Sequence, residues 1–152
     1  MGVSVRAILV TAVLASVAAT PSFGGQAKEK PLYDRLGGTT AITAVVDEFV
    51  ARVAADKRIN RYFASVASDA ARLNAFKGRL VDQICEASGG PCKYTGKDMK
   101  SAHAGMGITG AEFDALVEDL VAALDRFKVG PREKEQLLGA LGPMKTDIVE
   151  RR

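Results

Sequence analysis

The chain has 152 residues, 47% hydrophobic and 26% charged, with 21 basic against 18 acidic side chains and a formal net charge of +3. The two signs are interspersed, so the concentrated basic face that nucleic-acid binding needs is missing and no nucleic-acid partner is expected. Two cysteines and a single histidine are too few ligands for a zinc site.

Residues 1–27 read as a cleavable signal peptide. Arg6 supplies the positive charge, Ala7 to Ala19 is a run of small and apolar residues, and Pro21-Ser22-Phe23-Gly24 offers a small-x-small cut site, with cleavage after Gly24 or Ala27. The run is too short to span a bilayer, and no cysteine lies there to take a lipid. A periplasmic or secreted product without stable membrane insertion is expected. Residues 28–152 then form one domain by length, able to bury a single core.

Within that domain apolar residues recur with a helical period and strand-like alternation is scarce, which predicts an all-α fold. A short helix is expected around Leu32 to Leu36, followed by the punctuation Gly37-Gly38-Thr39-Thr40. The next helix should start at Thr39 or Thr40, where a hydroxyl can cap the first turn. It places Ile42, Val45, Val46, Phe49, Val50 and Val53 on one apolar face and leaves Asp47, Glu48 and Arg52 for water. After Asp56-Lys57-Arg58 the chain turns through Ile59-Asn60-Arg61-Tyr62-Phe63, whose aromatic pair can close the edge of a cavity or simply pack in the core.

A third helix is expected from near Ser68, with Leu73, Phe76, Leu80 and Ile84 as one buried stripe, ending where Gly89-Gly90 permits a left-handed cap. Six residues separate Cys85 from Cys92 and must turn. In an oxidising compartment a bridge between them contributes about 2–3 kcal/mol by loop closure. The alternative is a small buried Cys85 and a free loop thiol at Cys92.

The segment from Lys97 to Ala104 can form about two helical turns, with Met99 and His103 on the same side, before Gly105 and Gly107 end it. Thr109-Gly110-Ala111-Glu112 matches a capping box and opens a helix carrying Phe113, Leu116, Val117, Leu120 and Leu124. Pro131 opens the last helix, lined by Leu137, Leu138 and Leu141. Imidazole is the side chain best suited to hold iron from one side, although a histidine on a short helix is more often structural.

The order Leu32-Tyr33-Asp34-Arg35-Leu36-Gly37-Gly38, Phe49, Arg58-Ile59-x-x-Tyr62-Phe63 and Gly89-Gly90-Pro91-x-x-Tyr94-Thr95-Gly96-x-x-Met99-x-x-x-His103 resembles the group 1 truncated haemoglobins over about residues 31 to 149. The resemblance implies a two-over-two helical sandwich around one non-covalent haem b, with His103 as the axial iron ligand. By the same likeness Phe63 packs on the porphyrin, Met99 forms part of the proximal wall and Tyr94 lies near a propionate. Phe49, Tyr62, Ile84, Leu116, Leu120, Leu137 and Leu141 match further pocket and interior positions. No Cys-x-x-Cys-His run is present for thioether attachment, and one histidine excludes bis-histidine iron within one chain.

The distal side departs from the family pattern. Relatives commonly carry a tyrosine where this chain has Val50, and glutamine at one or both of the positions held here by Phe76 and Leu80. Gln83 remains polar, so Gln83, or Tyr62 swinging in from the edge, is the candidate donor to a bound gas; alternatively Gln83 faces solvent at the pocket rim. Losing a donor costs dioxygen about 1–3 kcal/mol, or roughly ten- to a hundredfold in escape rate. The resemblance implies reversible binding of dioxygen, nitric oxide or carbon monoxide by a carrier, scavenger or sensor. A nitric oxide dioxygenase served by an electron-donating reductase is a second reading, and a haem-free helical interaction protein a third.

Overall fold

The computed structural model describes residues 28–151, so the expected signal peptide lies outside the described residues. The helices are α1 (Leu32–Arg35), α2 (Gly38–Ala55), α3 (Ala64–Ala67), α4 (Ala70–Ala87), α5 (Met99–His103), α6 (Gly110–Arg126), α7 (Pro131–Leu141) and α8 (Lys145–Ile148). Short 3-10 turns occupy Asn60–Phe63 and Gly142–Met144. Among the described residues there is no strand, only an isolated parallel bridge between Thr109 and Arg151.

Local chemistry sets these boundaries. Gly37 and Gly38 take φ of +94° and +71°, which side chains resist, and α2 begins at Gly38, ahead of the expected threonines. No threonine hydroxyl caps it. Thr39 Oγ1 pairs instead with the Tyr33 hydroxyl at 2.8 Å, and that hydroxyl oxygen accepts the Thr39 N–H at 3.1 Å, so a tyrosine from α1 serves the first turn. Asp69 rather than Ser68 caps α4, accepting the Arg72 N–H at 2.8 Å, while the Ser68 hydroxyl is turned back to Ser65 O. At the other end Gly89 N–H donates to Glu86 O and Gly90 N–H to Cys85 O, a Schellman closure with Gly89 at φ +81°. The capping box at Thr109 and Glu112 forms as expected.

Helix α2 is the hub, packing against both α4 and α6, while α7 lies across α1 and α4. Ile42, Val45, Val46, Phe49 and Val53 of α2 are buried against Val81, Ile84 and Cys85 of α4 and Ala115, Leu120, Ala123 and Leu124 of α6. Leu137 enters from α7. The pair α2 and α4 thus stacks on the pair α6 and α7, the two-over-two arrangement. Glu48 and Arg52, expected to be left to water, are half-buried and pair with each other at 2.8 Å. Ile84 and Leu137 face Leu36, Ile42, Val45, Leu124 and Val129 around a void of about 10 Å³, room for one water at most. Pro143 has no N–H to continue α7, and the chain steps through its 3-10 turn into α8, which packs against α5.

Cys85 and Cys92 are bridged, with Cα atoms 5.7 Å apart. The bridge pins the end of α4 to the loop leading into α5. Glu86 ties the same loop again, accepting the Tyr94 N–H at 3.0 Å and pairing with Lys93 at 3.1 Å. Gly90 fills the corner: a Cβ there would stand 2.5 Å from Tyr33 Cδ2 and 2.7 Å from Cys85 Sγ. Cys92→Ser is expected to lower the unfolding free energy by about 2–3 kcal/mol, and Gly90→Ala by about 1–3 kcal/mol through overpacking. Urea titrations with and without a dithiol reductant check both. Reductant should bring the parent chain close to Cys92→Ser and leave that variant unmoved.

Candidate functional site

His103 is the last residue of α5, a helix started by Asp98, whose carboxylate accepts the Ser101 N–H at 2.8 Å. Its ring Nδ1 lies 2.7 Å from the carbonyl oxygen of Met99, one turn back. A carbonyl only accepts, so Nδ1 carries the hydrogen and Nε2 keeps its lone pair. The half-buried imidazole is therefore oriented, and its free nitrogen is a ready metal donor. Among the described residues no group of three or more histidine, cysteine, aspartate or glutamate side chains could hold a metal ion. A lone imidazole donor would suit an iron that brings most of its own ligands with it, as a porphyrin iron does.

The walls point the same way. Phe76, Leu80 and Gln83 lie on one face of α4, and the Phe76 ring meets Phe63 with centroids 5.7 Å apart. The α4 stripe, expected to be buried throughout, is buried only at Ile84; Leu73, Phe76 and Leu80 are half-uncovered. Val50, Phe63, Met99, Leu116, Leu141 and Met144 are likewise half-uncovered, although the same chain buries Val46 and Leu124 to 1% exposure. These partly open apolar side chains on α4 and the elements around it are surface available to an apolar body. Of the other residues singled out in the sequence, Phe49, Ile84, Leu120 and Leu137 are buried in the main core.

The polar candidates are all engaged. Gln83 Nε2 donates to Met144 Sδ at 3.1 Å and approaches Met99 Sδ at 3.6 Å, so the amide faces two thioethers rather than the solvent rim. The Tyr62 hydroxyl donates to Glu112 Oε2 at 2.8 Å, and the Arg61 guanidinium lies 4.5 Å from the Tyr62 ring centroid while also pairing with Glu112. The Tyr94 hydroxyl donates to Lys97 O at 2.9 Å and lies over Gly96, closing its own loop. Around Ile108, Phe113 and Ile148 a second cluster gathers Tyr62, Met99, Met106, Val117, Met144 and Val149. Sequence reasoning gave Met106 and Met144 no role; the available signal for Met144 was its helical spacing from Leu137 and Leu141.

The Bacterial-like globin family matches residues 31–150. A group 1 truncated hemoglobin, GlbN of Mycolicibacterium paratuberculosis, is 35% identical over 123 residues, covering 81% of this chain and 87% of that one. The chain belongs to the group 1 truncated haemoglobins. Among solved structures, the truncated hemoglobin of Tetrahymena pyriformis in its Fe(III) form has a TM-score of 0.71 at 28% identity, covering 79% of this chain and 98% of that one. The 2/2 hemoglobin of Synechococcus, in the cyanomet state with covalently attached heme, has a TM-score of 0.71 at 30% identity, covering 80% and 100%. Membership makes this globin a haem-based ligand-binding protein and accounts for the two-over-two packing. No helix among the described residues is long and apolar enough to cross a membrane.

Glu112 is the charged hinge between this site and the helix behind it. The Thr109 N–H, then the Tyr62 hydroxyl, with smaller help from the Thr109 side chain and Arg61, pull its pKa from 4.5 down to about 2. A depressed carboxylate pKa means stability that is present above 4.5 and is lost as pH falls toward 2. Glu112→Gln is expected to lower the urea midpoint at pH 7 and to flatten its decline between pH 4.5 and 2 relative to the parent chain. Equal slopes for the two proteins in that window would refute this role for the carboxylate.

Proposed function

We propose that this globin binds one haem b non-covalently through His103 Nε2 and reversibly takes up diatomic gases on the opposite face. The observation that carries the reading is the Nδ1–H bond from His103 to Met99 O at 2.7 Å, which leaves Nε2 as the ring nitrogen free to bind a metal. When bound, haem supplies an iron centre with one open coordination position. Phe63, Phe76, Leu80, Met99 and Leu116 offer the apolar wall whose burial provides most of the affinity, and the imidazole fixes orientation. Both cysteines are already joined to each other, so no free thiol is left among the described residues to form a covalent link to the porphyrin.

On the distal side Val50, Phe76 and Leu80 carry no donor. Gln83 is occupied by methionine sulfurs and Tyr62 by Glu112. Bound dioxygen accumulates negative charge and benefits from a hydrogen bond; carbon monoxide and nitric oxide, less polar when bound, need it less. The pocket therefore favours the apolar diatomics. Nitric oxide dioxygenation with a reductase requires dioxygen to be retained, which this set of side chains does not assist. Membership of a globin family weighs against a haem-free interaction protein. Export to an oxidising compartment is supported by the Cys85–Cys92 bridge.

Reconstitution with haemin should give a Soret band that His103→Ala abolishes; persistence of the band in that variant would remove His103 as the ligand. In the reduced protein, Gln83→Leu is expected to leave dioxygen release unchanged, whereas Leu80→Gln should slow it roughly ten- to a hundredfold by restoring a donor. Flash photolysis or stopped-flow mixing measures both rates. Faster dioxygen release from Gln83→Leu would make Gln83 the distal donor after all.

A further inference from the structure

The chain turns sharply just beyond His103. Ala104 leaves the helix with φ −56° and ψ 128°, and Gly105 and Gly107 follow at φ +78° and +64°. The two glycine amides converge on one carboxylate: Gly105 N–H donates to Glu150 Oε1 at 2.7 Å and Gly107 N–H to Glu150 Oε2 at 2.6 Å. These are charge-assisted bonds, each oxygen taking one donor. The backbone of the same residue joins in, since the Glu150 and Arg151 N–H groups both donate to Ile108 O, at 2.9 and 3.1 Å. The last residues of the described chain are thus zipped onto the loop that follows the histidine, and α8, immediately before them, packs on α5.

Helix α5 has five residues, far fewer than a helix needs to hold itself in water. Its position is set by what grips its ends. Upstream are the Asp98 cap and the loop tied by the disulfide and Glu86; downstream is Glu150. Glu150 is exposed, so water could satisfy both glycine amides in its absence. Its distinctive contribution is therefore geometric: it fixes where the two amides sit, and with them the exit from α5.

We propose that Glu150 is a positioning residue for His103, its carboxylate holding the Gly105–Gly107 turn so that the imidazole stands at a set height and angle against the cleft. This rests on the reading of His103 as axial ligand. The test uses the haem-reconstituted full chain with Glu150→Ala, Glu150→Gln and Glu150→Asp. Three readouts apply: the iron–histidine stretching band of the ferrous form, the rate of haem transfer to an excess of an acceptor apoglobin, and amide exchange at Gly105 and Gly107.

Glu150→Ala is expected to shift or broaden the iron–histidine band, speed haem loss about tenfold and speed exchange at both glycines about tenfold. Glu150→Gln keeps one acceptor oxygen and should fall between, and Glu150→Asp should recover part of the band position. Should Glu150→Ala fail to fold, Glu150→Gln carries the comparison alone. Faster glycine exchange with an unmoved band and unchanged haem loss would overturn the proposal, as would unchanged exchange. Absence of any iron–histidine band in the parent chain would instead overturn the axial-ligand reading, so the two failures are distinguishable.

Discussion

One hydrogen bond sets what the lone histidine of this globin can offer a metal: His103 Nδ1–H to the carbonyl of Met99, one turn earlier in the same short helix. It selects the tautomer, turns the ring and leaves Nε2 with its lone pair at the only histidine in the chain. Without that bond the ring could rotate and present either nitrogen. Since the acceptor is a backbone atom of α5 itself, the orientation of the donor is inherited from the placement of α5, and that placement has to come from outside a helix of five residues.

The fold supplies that placement through several small devices rather than one large one. The Schellman closure at Gly89 and Gly90 stops α4, the cysteine bridge and Glu86 fold the loop back, Asp98 starts α5, and Glu150 holds the turn beyond it. Each is a short-range polar or covalent contact, and all but the bridge, whose Cys85 is buried in the core, lie toward the surface. The main core, centred on α2, is conventional apolar packing behind these contacts.

Much of this was legible in the residues. Helical periodicity located α2, α4, α6 and α7, the capping box and the proline marked the starts of α6 and α7, and the spacing of Met99 and His103 put the two on one side of a short helix, without announcing the bond from the ring to the Met99 carbonyl. Boundaries slipped where a cap came from elsewhere in the chain: Tyr33 reaches across from α1 to the first turn of α2, which no local pattern announces. The stripe of Leu73, Phe76 and Leu80 read as core because periodicity marks an apolar face without saying how far its neighbours cover it. Contacts between distant positions, Tyr62 with Glu112 and Glu150 with Gly105 and Gly107, depend on how the ends of the fold meet and leave no trace in spacing.

The segment that follows α7 touches both α4 and α5. Leu141, Gly142, Met144 and Lys145 all keep right-handed helical dihedrals, so Met144 stays on the face of Leu137 and Leu141 and its thioether lies 3.1 Å from the Gln83 amide nitrogen. Further along, the same segment lays α8 on α5 and delivers Glu150 to the turn after His103. A thioether is a weak acceptor, so Gln83 is held by proximity and packing more than by bond strength. The packing of Gln83 and the seating of α5 are therefore not independent features: both draw on the segment from Met144 to Glu150, and a change that displaced this segment would alter the two together.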